Sequence, residues 1–262
     1  SALDLPEIPR SLLVVGGGCI GLELGSVYEA LGTKVSVVEM MPGILPIEDR
    51  ELTKLLETCL KKQGVEILVG TSVDTVKAGA SDVTVVVRSA DTRKELKADI
   101  ALMAVGVQGN IENLGLEQQG VEVERNAIKV DKHYNTNVPG INAIGDVIGP
   151  PWLAHVASAE GIHCIEAIAG LNPDPLDYSS IPGCTYCQPQ LASVGRTEEK
   201  ARAEGLELKI GRFPFRALGK AVAIGETDGL VKLIFDARYG ELVGAHILGS
   251  DATEMVAELV VA

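Results

Sequence analysis

Residues 12–21 read LLVVGGGCIG, a short apolar run that ends in three consecutive glycines. A continuous apolar run stopped by glycine is typical of a buried strand in a parallel sheet. A helical stretch at 20–31 follows and ends at Gly32, and a second strand, rich in β-branched residues, covers 34–39. This order predicts a βαβ unit and a Rossmann-like three-layer α/β domain.

The glycines at 16, 18 and 21 have the spacing of a dinucleotide-binding turn. Gly16 would make the tight turn, Gly18 would let a pyrophosphate approach the backbone, and Gly21 would allow close packing of the helix on the strand. The phosphates would lie at the helix N-terminus, where free N–H groups and the helix dipole favour anions. This pattern predicts a dinucleotide site, and the alternative is a glycine-rich turn that binds no ligand.

An acidic residue ends the second strand. Glu39 lies eighteen residues after Gly21, where its carboxylate can accept both ribose hydroxyls of NAD and would repel the 2′-phosphate of NADP. Lys34, the nearest cation, begins the strand instead of ending it. We therefore expect NAD as the nucleotide.

Helix and strand patterns alternate through the next segment. Apolar residues between 52 and 60 predict one face of a helix that ends at Gly64, and 65–69 and 100–105 predict two more buried strands. Three segments alternate in polarity and predict a β-meander: 73–77, 83–88 and 95–98.

The composition changes after residue 110, where 111–140 are polar and rich in turn residues. An apolar strand ending in Gly145-Asp146 would place a carboxylate at the end of a strand, where ligands of open α/β sheets bind. The remaining predicted elements are a long helix at 153–169, an antiparallel hairpin formed by 231–235 and 242–248, and a helix at 253–262 that ends without a cap, as in a truncated chain.

Composition narrows the functional class. The 262 residues are long enough for two domains, and the net charge of −13 argues against nucleic acid or an anionic membrane as a partner. No apolar run reaches the roughly 20 residues that span a bilayer, and no signal peptide is evident. Five cysteines form no regular framework, which favours a reducing compartment such as the cytoplasm.

Several motifs together resemble one family. In order along nearly the whole chain, these are IPRSLLVVGGGCIGLELG at 8–25, LGTKVSVVE at 31–39, GINAIGD at 140–146, LAHVASAEG at 153–161, ASVGRTE at 192–198, FPF at 213–215 and GAHILG at 244–249. This series resembles the pyridine-nucleotide-disulfide oxidoreductases. The resemblance implies an NAD-binding domain at 1–130, the C-terminal part of an FAD domain at 131–180, and a partial α+β interface domain for a homodimer at 181–262.

The resemblance also implies the site residues. NAD would contact Gly16, Gly18, Ile20, Gly21, Glu23, Glu39 and Gly106, with Glu23 in the environment shared by flavin and nicotinamide. FAD would contact Gly145 and Asp146, the latter at the ribityl chain, and the backbone of Leu153, Ala154 and His155 at a helix N-terminus. Without the resemblance, Glu23 would be interpreted as a solvated helix residue. No metal site is expected.

The implied reaction is oxidation of dihydrolipoamide, carried by a 2-oxo acid dehydrogenase or related complex, through a redox disulfide and FAD to NAD. The family's Cys-x-x-x-x-Cys pair and its C-terminal His-Pro base have no counterpart in these residues, so we expect this polypeptide alone to be inactive. The alternatives are another member, such as a glutathione or mercuric reductase, an NADH oxidase or a coenzyme A-disulfide reductase, or a nicotinamide-binding module without catalysis.

Other reactive residues are interpreted as structural. Cys184-x-x-Cys187 lies in a β-like segment and lacks the βαβ context of a redox motif, so we interpret it as an incidental pair. His163 and His246 fall within a predicted helix and strand, and Cys19 is expected to be a small packing residue. Residues 107–110 read VQGN, where many relatives carry an arginine followed by Pro-Asn.

Overall fold

A computed structural model describes residues 2–90 and 92–262 of the chain. The helices are α1 (Cys19–Ala30), α2 (Arg50–Gln63), α3 (Leu116–Gln119), α4 (Ala154–Ile168), α5 (Glu198–Ala203), α6 (Gly219–Ile224) and α7 (Ala252–Val261). The strands are β1 (Ser11–Val15), β2 (Lys34–Val38), β3 (Glu66–Leu68), β4 (Ser72–Ala78), β5 (Val83–Arg88), β6 (Arg93–Ala98), β7 (Ile100–Met103), β8 (Val123–Glu124), β9 (Ala127–Ile128), β10 (Gly183–Thr185), β11 (Gln190–Gly195), β12 (Leu208–Pro214), β13 (Leu230–Asp236) and β14 (Leu242–Gly249).

The chain divides into two compact units. The first combines Ser1–Val105 with Pro182–Ala262, and the second is Gly106–Ile181. This division differs from the predicted boundary at 130, because 121 and 128 pack with residues 143, 147 and 148 in one small apolar core. No helix among the described residues is long and apolar enough to cross a membrane.

The first unit contains a four-stranded parallel sheet in the order β3-β2-β1-β7. β1 is buried on both faces, which explains its continuous apolar sequence. Leu12 and Val14 pack in a cluster with α2, while Leu13 and Val15 pack against the antiparallel meander β4-β5-β6. The predicted Rossmann-like three-layer architecture is confirmed.

One strand is less buried than the sequence predicts. β7 ends at Met103, and the side chains of Met103 and Val105 are 53% and 71% exposed, so the prediction of a continuous buried strand at 100–105 is wrong. The reason is its position: β7 pairs only with β1 and forms an edge of the sheet as described.

The first unit also contains a five-stranded sheet in the order β10-β11-β14-β13-β12, with all neighbours antiparallel. β13 and β14 form the predicted hairpin. One face packs under α7, where Ala245 and Ile247 contact an apolar cluster that includes Val256. The other face places Leu191 and Leu248 in the same cluster as α2.

The second unit is built from the β8–β9 hairpin, α3 and α4. The predicted helix at 153–169 is confirmed as α4. The predicted strand before Gly145-Asp146 is wrong: residues 141–144 make a single bridge, between Asn135 and Asn142, and Gly145–Ile148 form a 3-10 helix. A strand requires a ladder of backbone hydrogen bonds to a neighbouring strand. Among the described residues, 141–144 find such a partner at one position only.

Candidate functional site

Two of the three spaced glycines are required by sterics. Gly16 has φ +109°, and a Cβ atom there would collide with the carbonyl oxygen of Ala104, just beyond β7. A Cβ on Gly21 would collide with the carbonyl oxygen of Gly16 and would lie 3.0 Å from Cγ1 of Val14. The absence of a side chain at Gly21 therefore allows α1 to approach β1 closely, and its absence at Gly16 allows the turn to lie against the backbone of Ala104.

Gly18 is different, because its missing side chain leaves open space. Its backbone is extended, with φ −77° and ψ −178°, and no described atom lies within 4 Å of a Cβ placed there. Gly18 is also the N-cap of α1, and no side chain of the described residues caps this helix. The first N–H groups of α1 thus face a space in which a ligand can approach the backbone.

Glu39 lies against the same turn. Glu39 is only 8% exposed. Oε2 accepts a hydrogen bond from the N–H of Gly17 at 2.6 Å, and Oε1 accepts one from the N–H of Met41 at 2.6 Å. A Cβ on Gly17 would lie 3.1 Å from Cβ of Glu39, so the middle glycine of the run makes room for this carboxylate. Each carboxylate oxygen keeps a second lone pair for a further donor.

The segment from Met40 to Asp49 wraps around the glycine turn. The N–H of Leu45 donates to the carbonyl of Gly17 at 2.9 Å, and the Leu45 side chain is buried. Asp49 then caps α2, accepting the N–H of Glu51 at 3.1 Å. This segment links the carboxylate of Glu39 to the start of α2.

The other predicted residues of α1 lie on its first turns. Ile20 is exposed, and Oε1 of Glu23 accepts the N–H of Tyr186 at 2.9 Å, so Glu23 is not simply solvated. Cys19 is exposed, and the expectation that it packs is wrong, because it lies at the first position of α1, where Cys19 and Ile20 are both exposed. Gly16, Gly18, Ile20, Gly21, Glu23 and Glu39 are thus brought together in the first unit.

The second unit holds the residues predicted for FAD. Gly145 has φ +74°, and its N–H donates to Oε2 of Glu160 at 2.7 Å. Glu160 is 2% exposed, and its Oε1 accepts the hydroxyl of Tyr178 at 2.7 Å. Burial raises the pKa of Tyr178, and its hydrogen bonds with Tyr134 and Glu160 raise it further. This network holds the turn that contains Gly145 against α4.

The N-terminus of α4 is also uncapped by any described side chain, with Leu153 at the N-cap. Asp146, Ala154 and His155 are exposed. Gly106, with φ +134°, begins this unit. The helix end therefore offers free N–H groups and a positive dipole end to a ligand.

The cysteine pair has the properties of structural thiols. All five cysteines are free. Burial raises the pKa of Cys187 to about 12 and also raises the pKa of Cys184. A redox-active cysteine needs a lowered thiol pKa, so these shifts oppose a redox role for the pair.

Three interactions of the site were missed by sequence reasoning. Gly17 accommodates Glu39, Glu160 holds Gly145, and a buried Lys232 binds Asp49. The sequence contains a signal for two of them, because a charged residue in an apolar element needs a buried partner. These are Lys232 within the apolar strand LVKLIFD and Glu160 among small and apolar residues of α4. His163 and His246 are buried on a helix and a strand, as expected.

Comparison with known families agrees with this geometry. Residues 1–161 match the family described as pyridine nucleotide-disulphide oxidoreductase. The chain belongs to this family. Residues 181–262 match its dimerisation domain, so the five-stranded sheet with α7 is the family's dimerisation fold. The family uses FAD and NAD.

Individual relatives of this chain are named dihydrolipoyl dehydrogenases. It is 50% identical to the enzyme of Rhizobium etli over 100% of its own length and 43% identical to that of Bacillus subtilis over 98%, and it spans 55% of the length of each. Among solved structures, it superposes on LpdA from Mycobacterium tuberculosis with a TM-score of 0.90 at 28% identity, covering 98% of this chain and 56% of that one. It superposes on the flavoprotein disulfide reductase RclA from Escherichia coli with a TM-score of 0.88 at 31% identity, covering 99% and 59%.

Proposed function

We propose that this chain is the nicotinamide-binding and dimerisation portion of a dihydrolipoyl dehydrogenase. The observation that carries the proposal is the open space at Gly18, between the uncapped N-terminus of α1 and the carboxylate of Glu39. The similarity to two dihydrolipoyl dehydrogenases over essentially all of this chain supports the substrate assignment.

In this proposal the pyrophosphate of NAD lies on the backbone at Gly18. The N–H groups of the first turn of α1 donate to it, and the helix dipole stabilises its charge. Gly16 and Gly21 contribute indirectly, because Gly21 allows α1 to start close to β1 and Gly16 allows the turn to lie against the backbone of Ala104. Ile20 and Glu23 line the approach to the nicotinamide.

Glu39 determines the preference for NAD. Its two oxygens each accept one backbone N–H and retain lone pairs that can accept the ribose hydroxyls. A 2′-phosphate at the same place would put two anionic groups together in a partly desolvated site. NADP should therefore bind more weakly than NAD.

For FAD, the residues present fit a flavin beside the N-terminus of α4. The backbone N–H groups at Ala154 and His155 are available to a carbonyl of the ring, and Asp146 is exposed for a ribityl hydroxyl. FAD, when bound, carries reducing equivalents between a redox disulfide and NAD. The residues of this chain bind and orient that cofactor, and the helix dipole favours negative charge on the reduced ring.

The remaining assignments follow from the same proposal. In this proposal the NAD domain is the part of the first unit before residue 106, Gly106–Ile181 belong to the FAD domain, and 181–262 form the interface of a homodimer. Its dihydrolipoamide comes from a 2-oxo acid dehydrogenase or related complex. The five free thiols support a reducing location such as the cytoplasm.

Titration with NADH and NADPH tests the proposal. We expect saturable NADH binding, measured by quenching of protein fluorescence, with a dissociation constant at least about tenfold below that for NADPH, a difference of about 1.4 kcal/mol. Absence of saturable NADH binding to the folded protein, or tighter binding of NADPH, would refute it. Absorbance of the purified protein near 450 nm tests flavin binding separately.

A further inference from the structure

A row of polar side chains crosses the five-stranded sheet. The backbone register pairs Ser193 with His246, His246 with Lys232, and Lys232 with Arg212 across β11, β14, β13 and β12. Directly paired residues of neighbouring strands point to the same face. This face is the one that packs against α2, since Leu230, two residues before Lys232, joins the apolar cluster of that helix.

Lys232 is the centre of this row. Its side chain is 2% exposed, and Nζ lies 2.8 Å from Oδ2 of Asp49, 3.0 Å from Oε2 of Glu51 and 2.9 Å from Oε2 of Glu198. Nε of Arg212 donates to the other carboxylate oxygen of Glu51, Oε1, at 2.8 Å. Burial alone would lower the pKa of Lys232, but its hydrogen bonds to Asp49, Glu198 and Glu51 outweigh burial and raise the pKa, so Lys232 remains charged.

A buried charge such as that of Lys232 is stable only when acceptors surround it in a well-defined geometry. Desolvation of a cation is costly unless every donor has a well-placed acceptor, and removal of one partner leaves the others uncompensated. Asp49 is 2% exposed and uses both oxygens on Lys232 while also capping α2. The start of α2 is therefore held in place by the sheet of 182–262.

The segment before Asp49 leads directly to the nucleotide site. The N–H of Glu48 donates to the carbonyl of Leu45 at 3.0 Å, the N–H of Leu45 donates to the carbonyl of Gly17, and the N–H of Met41 donates to Glu39. These bonds form a continuous series from the anchored Asp49 to the residues that surround Glu39. A change in the position of Asp49 can therefore reach Gly17 and Glu39 through these bonds.

We propose that Lys232 is a positioning residue for the nicotinamide nucleotide: by anchoring Asp49 it holds the 40–49 segment in the arrangement that presents Gly17 and Glu39 to the ribose. The proposal rests on the NAD site proposed above. It assigns the dimerisation sheet a role in nucleotide affinity, in addition to association of subunits.

The test variant is Lys232→Met, which keeps an unbranched side chain one heavy atom shorter and removes the charge. If the binding-competent arrangement of the 40–49 segment falls to about a tenth of the population, the dissociation constant for NADH rises about tenfold. Asp49→Asn is the milder variant, because asparagine caps helices as well as aspartate and still accepts a hydrogen bond. We expect it to weaken NADH binding about threefold on the same reasoning.

Ile247→Ala is the matched control. Ile247 is buried in the same sheet but on the opposite face, under α7. Its truncation destabilises the sheet without touching the 40–49 segment, so NADH affinity should be unchanged.

In the double variant Lys232→Met with Asp49→Asn, the loss of affinity should be smaller than the product of the two single losses, because both changes break one interaction.

Hydrogen exchange gives a readout that does not require ligand. In Lys232→Met, the amides of Gly17, Met41 and Leu45 should exchange faster, while those of β14 stay protected. Equal NADH affinity in Lys232→Met and the unchanged protein, or an equal loss in Ile247→Ala, overturns the inference. If the unchanged protein fails to bind NADH, the proposed function is wrong. The link between Lys232 and the 40–49 segment is then judged by exchange alone, and it is wrong as well if the amides of Gly17, Met41 and Leu45 stay protected in Lys232→Met.

Discussion

From the proposed nucleotide site we predict that Gly18→Ala weakens NADH binding at least about tenfold and leaves the free energy of unfolding nearly unchanged. The backbone at Gly18, φ −77° and ψ −178°, is accessible to alanine, and the new Cβ would meet no described atom within 4 Å. The same methyl group would occupy the space through which a pyrophosphate approaches the backbone. Ligand binding and folding are thus separated at one position.

The expected free energy of unfolding follows from two opposing effects. Alanine is a poorer N-cap than glycine by about 0.5 kcal/mol. Replacement of glycine also stabilises by about 0.4–1 kcal/mol, because the unfolded chain loses conformational freedom. The sum is within about 0.5 kcal/mol of zero, whereas we expect NADH affinity to fall at least tenfold, or by about 1.4 kcal/mol.

Gly21→Ala is the matched comparison, because it should lose stability as well as NADH affinity. Its Cβ would overlap the carbonyl oxygen of Gly16 and lie 3.0 Å from Cγ1 of Val14, which forces α1 away from β1. Overpacking of this kind costs about 1–3 kcal/mol, and about 2–4 °C of melting temperature per kcal/mol for a chain of this size. Both variants should lose NADH affinity, but only Gly21→Ala should melt earlier.

Two measurements on the same samples decide the outcome. Thermal unfolding followed by circular dichroism reports stability, and fluorescence titration reports NADH affinity. If Gly18→Ala binds NADH as tightly as the unchanged protein, the pyrophosphate does not lie at this backbone position. If Gly18→Ala melts several degrees earlier, the space around Gly18 is not open to a methyl group.

Three further changes have defined outcomes. Glu39→Gln removes one charge facing a 2′-phosphate, worth about 1 kcal/mol at 4 Å in water, so the ratio of NADPH to NADH dissociation constants should fall about fivefold in parallel titrations; an unchanged ratio contradicts the role of Glu39. Burial alone would raise the pKa of Asp49, but the interaction with Lys232 outweighs burial and lowers the pKa. The interaction therefore stabilises the fold at pH values above the ordinary pKa of 3.8, and this stabilisation is lost as the pH falls below that value. Urea unfolding between pH 6 and 3 should show the loss, and the free energy of unfolding should depend less on pH in Lys232→Met. Tyr178→Phe removes the hydroxyl that donates to the buried Glu160 at 2.7 Å, and should lower the free energy of unfolding by about 1–2 kcal/mol; equal urea midpoints would show that another donor replaces it.

The glycine turn and the strands around it could be predicted from residues 12–39 alone. A strand that is buried on both faces needs a continuous apolar run, and a turn with φ above zero favours glycine. Both features therefore depend only on residues that are close together in the sequence. The acidic residue at 39 follows from the same local order. The antiparallel hairpin of 230–249 was predictable for the same reason, since its two apolar runs flank a turn.

Other features depend on which segments meet in the folded chain. Lys232 and Asp49 are 183 positions apart, and no pattern near either residue indicates the other. The exposure of Met103 depends on β7 lying at a sheet edge, and residues 141–144 fail to form a strand because the described chain offers them one bridging partner. Periodicity and glycine conformation act over a few neighbouring residues, whereas the pairing of buried charges and the supply of strand partners require contacts between distant segments, which only the tertiary structure provides.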